Sequence, residues 1–293
     1  MNARAPVGGL PDAQRTDLPE GLRRVGVRRH EGERQRVDQD WVIDEAPVAL
    51  VYNGISHVVM MATPTSLEDF AVGFSLSEGL LHGIGELRDL RVETSTSAVL
   101  GETGFSVHLQ VSPRAFERFK DRRRQLAGRT GCGLCGIDSL EAFEQALPVG
   151  GATGLGDEAR PGVWPAETDP GVAVRRALSA LPAQQALQAH SGGCHAAAWA
   201  TPGGELLCVR EDVGRHNALD KLVGAMALQG PLSPGLVVVS SRASHEMVSK
   251  CVRMGVGTLG AISAPTSLAI TLAQRSGLRL FGFCRGDAVV AYA

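Results

Sequence analysis

The sequence predicts an α/β protein, α+β over its whole length, from three observations. From Val172 onward, short apolar runs rich in Val, Leu and Ala alternate with segments of helical period, the arrangement of a sheet flanked by helices. Before that region, residues 48–62 (VALVYNGISHVVMMA) form two apolar β segments around Asn53-Gly54, a hairpin-type turn. Between the two stands a basic helical segment opened by Pro113.

Taken in order, residues 1–24 are rich in Pro, Gly and charge without a period of 2 or 3.6, so they are expected to be a disordered tail, with the fold starting near Val25. Behind the hairpin, Ser66 is placed to cap a helix whose first turn carries Glu68 and Asp69. Leu67, Phe70, Ala71, Phe74 and Leu81 recur there at helical spacing. FSVHLQV (105–111) alternates as a half-buried strand, and the helix from Pro113 then carries Arg114, Arg118, Lys120, Arg122, Arg123 and Arg124 into the loop GRTGCGLCG. A short helix from Asp138 to Leu147 precedes residues 148–171, which are rich in Gly and Pro and expected to form a flexible loop.

Beyond it come a helix to about Gln188, β segments around Cys194–Thr201 and Glu205–Arg210, and a helix from Gly214. A strand LVVVSS, a helix from Ser244, a strand TLGAIS and a helix from Pro265 follow, then LRLFGFC and VVAYA. These elements divide the chain into a small N-terminal α+β domain, 25–126, and a second domain, 127–293, that carries the cysteine loop.

A formal charge of -2 and a pI near 6.5 supply no global attraction to nucleic acid or an anionic membrane. No stretch approaches the roughly 18 apolar residues of a membrane span, and no secretory apolar run opens the chain, so a cytoplasmic protein is expected. Six cysteines, at 132, 135, 194, 208, 251 and 284, are too sparse and irregular for a disulfide scaffold and are expected as thiols. Lysine occurs only at 120, 221 and 250. Lys and Arg differ at a tight site, which marks Lys221 and Lys250 as candidate compact point charges.

The close pair Cys132 and Cys135 is bracketed by Gly131 and Gly136, which frees the backbone to present both sulfurs. The preceding cations, Arg129 nearest, would lower the thiol pKa, as a persulfide carrier requires. Cys135 can then attack a persulfide on Cys132 and expel its outer sulfur. Half of a structural zinc site, completed only at long range by Cys194 and His195, is a competing reading, as are a thioredoxin-like pair and two plain surface thiols. The arginine-rich helix serves equally as a solvated face or as a binding face beside a reactive cysteine.

Two segments of the second half resemble helix N-termini built to receive phosphate, where unpaired N–H groups and the dipole favour negative charge. One is Glu211-Asp212-Val213-Gly214-Arg215-His216-Asn217; the other is Ser263-Ala264-Pro265-Thr266-Ser267. Each is also explained as a plain helix cap. A third hydroxyl-rich turn, Ser240-Ser241-Arg242-Ala243-Ser244-His245-Glu246, follows the LVVV strand at its C-terminal end, where open α/β sheets bind ligands. Gly282 to Asp287 could set an aromatic ring, backbone groups and a guanidinium around a base or phosphate. His195 is a candidate proton carrier or a structural histidine, and Glu246 with Lys250 has the spacing of a helix salt bridge.

RTGCGLCG, SGGCHAAAW, REDVGRHNALDKLVG, SSRASHEMVSKCVRMG, SAPTSLAITLAQRSGL and GFCRGD resemble, in that order, the FdhD family of formate dehydrogenase accessory proteins. The resemblance runs from about Val48 to the end. It implies a cytosolic sulfurtransferase that takes persulfide sulfur from a cysteine desulfurase on Cys132 and passes it to the bis(molybdopterin guanine dinucleotide) form of the molybdenum or tungsten cofactor of formate dehydrogenase. It further implies a cofactor-binding segment at Phe283, Cys284, Arg285, Gly286, Asp287 and Ala288, a guanine nucleotide such as GDP as a ligand mimic, a homodimer, and a cytidine-deaminase-like second domain. Together with the anion elements this makes Asp212, Gly214, Arg215, His216, Ser241, Arg242, Pro265, Thr266 and Ser267 the further candidate contacts.

The resemblance to deaminases would be of fold only, because the chain lacks the His-x-Glu and Pro-Cys-x-x-Cys pattern that holds their zinc. Ala288 stands where relatives often carry a basic residue, and the 148–171 loop is longer than the family pattern. A non-catalytic chaperone of the cofactor or of the dehydrogenase, and a zinc-dependent deaminase, are the competing function classes.

Overall fold

The computed structural model describes residues 18–96, 103–126, 168–230, 233–286 and 288–293, with the side chains of 122–126 and 285 outside that description. The helix expected at 138–147 and most of the 148–171 loop therefore lie outside the described residues. Among the described residues there are three sheets: a two-stranded ribbon, a four-stranded sheet and a six-stranded sheet.

The ribbon pairs β1 (Leu22–Glu31) with β2 (Arg34–Ile43) antiparallel. It begins three residues before Val25, inside the stretch expected to be a tail, and neither strand has a sequence signal. Both mix many charged residues with a few apolar ones and bury no continuous face. Cross-strand ion pairs take the place of a core: Arg29 reaches Asp38 and Asp40 at 3.0 Å each.

The expected hairpin is β3 (Ala46–Tyr52) and β4 (Ile55–Ala62), closed by Asn53 at φ 45° and Gly54 at φ 82°. Both turn residues are left-handed, the geometry that Asn-Gly adopts most cheaply. The Asn53 side chain also exchanges hydrogen bonds with the backbone of Val111, at 2.7 and 3.3 Å, which ties the turn to the strand that ends there. Strand β6 (Thr103–Val111) runs parallel to β3, and β5 (Leu87–Thr96) completes the order β4-β3-β6-β5.

Helix α1 (Leu67–Ser77) follows β4 as expected, with a different start. Ser66 occupies the cap position in a left-handed conformation, φ 50°, and its hydroxyl makes no capping bond. Leu81 lies beyond the helix and is buried by the turn after it, in which the amides of Leu80 and Leu81 donate to Ser75 O. Helix α2 (Pro113–Leu126) opens on Pro113 as expected.

The second half builds α3 (Pro170–Ala180), α4 (Ala186–Ser191), β7 (His195–Ala200), β8 (Leu206–Asp212), α5 (Arg215–Gln229), β9 (Leu236–Val239), α6 (His245–Arg253), β10 (Thr258–Ala261), α7 (Ser267–Ser276), β11 (Arg279–Arg285) and β12 (Ala288–Ala291). The strands order as β12-β11-β10-β9-β7-β8, with β9, β10 and β11 parallel and β7, β8 and β12 antiparallel to their neighbours.

Alternation along β7 shows how the sheet is covered on both faces. Ala196, Ala198 and Ala200 face Ala173, Val174 and Ala177 of α3, while Ala197 and Trp199 face the larger cluster of α5, α6 and α7. That larger cluster continues through α1 into Leu50, Val107 and Leu109 of the four-stranded sheet. Helices α1 and α5 cross backbone to backbone: a Cβ on Gly73 would sit 1.7 Å from Asp220 O, and one on Gly224 would sit 1.8 Å from Asp69 O. Among the described residues no helix is long and apolar enough to cross a membrane.

Candidate functional site

Sheet topology brings the candidate segments to one edge. The C-terminal ends of parallel strands β9, β10 and β11 point the same way, and β7, being antiparallel to β9, starts on that edge. Residue His195 lies opposite Asp212 in the β7–β8 register, so β8 ends there too. The loops are stitched together by backbone bonds. Ser240 N donates to Ala196 O at 2.9 Å, while the Ser240 hydroxyl accepts from Ala196 N at 2.8 Å. Ala243 bridges Pro265, Thr266 N donates to Ala243 O at 3.0 Å, and Phe283 N donates to Ser263 O at 3.2 Å.

Helices α5, α6 and α7 all start on this edge, capped by Gly214, Ser244 and Thr266. Their unpaired N–H groups and dipoles favour an anion here. The first turns of α5 and α6 touch: His216 Nε2 lies 2.9 Å and an Arg215 guanidinium nitrogen 3.8 Å from Glu246 Oε2. The close contact with His216 above all, then the surrounding positive groups, holds Glu246 at about 2, well below the usual carboxylate range. Burial, followed by the positive charge of Arg215 and His216, lowers His195, which favours a neutral imidazole. Arg242 is exposed beside the buried Ser241, whose hydroxyl donates to Arg242 O at 3.0 Å.

At the end of β11 a bulge between Gly282 and Arg285 turns Phe283 outward. Its φ of 51° is left-handed for a bulky residue, and the ring is 46 % exposed. Such a conformation persists only where the surroundings hold it, and it sets an aromatic face on the rim of the edge. Gly286 at φ 57° continues the turn, and Ala288 opens β12 with its side chain exposed. Asp287 and the Arg285 side chain lie outside the described residues.

Several expected contacts are corrected. The carboxylate of Asp212 is fully buried and faces the interior, where it accepts from Thr63 N, Gly214 N, Asn217 Nδ2 and Lys221 Nζ at 2.7–3.0 Å. With four donors satisfied it shapes the loop and presents nothing to a ligand. The Thr266 hydroxyl caps α7, accepting from Ala269 N at 3.3 Å, and α7 starts at Ser267, so Pro265 lies outside the helix rather than in its first turn. Lys250 does not pair with Glu246. Its ammonium reaches Asp220 at 2.8 Å, Glu78 at 2.9 Å and Ser77 at 2.8 Å. Burial opposes the Lys250 charge, but Asp220 and Glu78 outweigh it and raise its pKa. Lys221 and Lys250 are compact buried charges, as their scarcity suggested, and both serve the scaffold.

A family model described as FdhD/NarQ matches residues 43–293 of this chain. The chain belongs to the FdhD/NarQ family. It is 49 % identical over 256 residues to the sulfur carrier protein FdhD of Cupriavidus necator, covering 87 % of this chain and 82 % of that protein. With the FdhD of Chromobacterium violaceum the identity is 46 % over 286 residues, covering 97 % and 98 %. The fold is similar to a crystal structure described as a formate dehydrogenase accessory protein from Desulfotalea psychrophila, with a TM-score of 0.64, 19 % identity, and coverage of 92 % of this chain and 96 % of that one. Membership in the FdhD family assigns the chain a sulfurtransferase role in formate dehydrogenase maturation.

Sulfur chemistry in an FdhD protein needs a thiolate, and the four described cysteines are arranged against it. Burial pushes Cys251 up to about 12 and Cys284 up to about 11. Cys194 is raised by burial and by Glu211, to which its thiol donates at 3.3 Å. Burial raises Cys208 as well. Cys284, within the segment expected to bind cofactor, is thus a buried thiol under the Phe283 bulge. Cys132 and Cys135 lie outside the described residues. Among the described residues no group of three or more His, Cys, Asp or Glu is arranged to hold a metal ion.

Sequence reasoning missed the residues that hold the edge together from the first half: Thr63, Thr65, Ser77 and Glu78. None has a local signal, since their partners are about 140 to 170 positions away.

Proposed function

We propose that this FdhD protein carries persulfide sulfur on Cys132 and holds the guanine dinucleotide ends of the molybdenum cofactor at the C-terminal edge of its six-stranded sheet. The observation that supports this most is the convergence of three helix N-termini, Arg215, His216, Arg242 and the Phe283 ring on that one edge. Phosphates suit the N–H groups and cations, and a guanine suits the exposed ring. Within this reading Gly214, Ser241, Ser267, Gly286 and Ala288 line the rim, and Arg285 and Asp287 are further proposed contacts.

In the loading step a Cys132 thiolate attacks the outer sulfur of a desulfurase persulfide. The S–S bond breaks, the desulfurase thiolate leaves, and Cys132 keeps the transferred sulfur. Release follows when Cys135 attacks the Cys132 sulfur and expels the outer one as hydrosulfide. The disulfide left behind is reopened by a cellular dithiol reductant. The cargo is the bis(molybdopterin guanine dinucleotide) cofactor on its way to the formate dehydrogenase catalytic subunit, in the cytoplasm, and the carrier works as a homodimer. The reading takes residues 127–293 as a cytidine-deaminase-like domain, supported by the six-stranded sheet lying wholly within residues 195–291.

Intact-mass analysis after incubation with a cysteine desulfurase and cysteine tests it. A reducible adduct of about 32 mass units, present in wild type and Cys135→Ala and absent in Cys132→Ala, is the expected result. No adduct on any form, with nucleotide binding intact, would replace the carrier with a non-catalytic cofactor chaperone.

A further inference from the structure

Thr63 stands between β4 and α1, fully buried and 149 positions before Asp212. Each of its polar groups is committed to the rim or its support. The amide donates to Asp212 Oδ2 at 3.0 Å, the carbonyl accepts from Lys221 Nζ at 2.9 Å, and the hydroxyl accepts from Val213 N at 3.1 Å. Asp212 Oδ1 then accepts from Gly214 N at 2.8 Å, so the two peptide groups that lead into Arg215 and His216 are both held by acceptors in this unit. The methyl group has separate work: it lies where a Cβ on Gly21 would come within 2.9 Å, at the foot of the β1–β2 ribbon.

We infer that Thr63 is a positioning residue for the nucleotide-holding rim, an inference that rests on the proposed role of that edge. Its hydroxyl orients the Val213 amide and so aims Gly214, Arg215 and His216. A Val213 N–H without that acceptor regains a partner only by rotating its peptide, because an unpaired half-buried amide is costly. That rotation turns the start of α5 away from the anion. The first half of the chain thereby sets the geometry of a rim carried by the second.

GDP binding to full-length protein, measured by titration calorimetry beside thermal unfolding, tests the assignment. Thr63→Val keeps the branched shape and removes the acceptor, so GDP should bind about five- to ten-fold more weakly, the scale of one hydrogen bond. Thr63→Ser keeps the hydroxyl and should restore wild-type affinity even though it loses the methyl packing. Val107→Ala, a cavity in the core of the four-stranded sheet that touches none of the Thr63 hydrogen bonds, should lower thermal stability with affinity unchanged. Wild-type binding with Thr63→Val equally tight overturns this inference alone, and so does an equal loss of affinity in Val107→Ala. Wild type that binds no GDP overturns the proposed role of the edge and this inference with it. If Thr63→Val does not fold, amide exchange in wild type decides: Val213 and Gly214 amides protected like those of β7 support the assignment, and exchange at open-loop rates overturns it.

Discussion

Lys221 Nζ and Asp212 Oδ2 face each other at 2.7 Å with side chains 1 % and 0 % exposed. The pair joins the end of β8 to α5, and each member has further hydrogen bonds, Lys221 to Thr63 O and Asp212 to two amides and Asn217. Burial costs such a pair heavily, and it is tolerated here because every remaining lone pair and proton is engaged. Removing one member leaves the other a buried charge without its counter-ion. Lys221→Met should therefore lose about 3–5 kcal/mol of stability. Urea unfolding at neutral pH measures it; a loss under about 1 kcal/mol would mean Asp212 finds another partner or a proton.

The α1–α5 crossing makes a sharper prediction. A Cβ on Gly73 or Gly224 falls inside the backbone of the facing helix, at 1.7 and 1.8 Å from carbonyl oxygens. Backbone cannot step aside as a side-chain tip can. Gly73→Ala and Gly224→Ala should each fail to yield a cooperatively unfolding protein, whereas Gly85→Ala, with open space around it, should behave as wild type. Circular dichroism melts of the three variants compare them directly.

Glu246 gives the acid response of the site. Its folded-state pKa is depressed to about 2 from an ordinary 4.5, first by the close contact with His216. A depressed carboxylate contributes stability that is complete above the unfolded value and lost as pH falls through the folded one. Glu246→Gln should thus be less stable than wild type at pH 7, with the gap closing between pH 4.5 and about 2. Denaturation series across that window read the gap, and a constant difference would contradict the ion pair.

Thiol labelling separates the cysteines. Burial holds Cys251 near 12 and Cys284 near 11, so neither supplies thiolate at pH 8. Mapping a maleimide or iodoacetamide reaction of the native protein by mass spectrometry should find both unmodified until denaturant is added. Rapid native labelling of Cys284 would mean the β11 bulge opens.

Much of this is legible in the sequence alone. Asn53-Gly54 between two apolar runs specified a hairpin because only residues tolerant of positive φ close that turn, and it closes there. Pro113 specified a helix start, and the alternation of apolar runs after Val172 specified a sheet with helices, since period and turn chemistry are local properties. The order of motifs from RTGCGLCG to GFCRGD likewise sufficed to name the family.

Other features depended on groups far apart in sequence, and there the tertiary structure decided. Asp212 reads as a ligand contact in EDVGRHN, yet it turns inward because Thr63 and Lys221 meet it inside the fold. Glu246 and Lys250 have salt-bridge spacing on α6, yet each finds a stronger partner on another helix: His216 for one, Asp220 for the other. The β1–β2 ribbon carries no apolar face to betray it, because its strands are held by register and cross-strand charge. Local chemistry determined which elements form and which family they build. Which polar side chains serve the ligand edge and which serve the scaffold was decided only when burial brought distant charges within 3 Å of one another, where desolvation leaves an unpaired charge no cheap alternative.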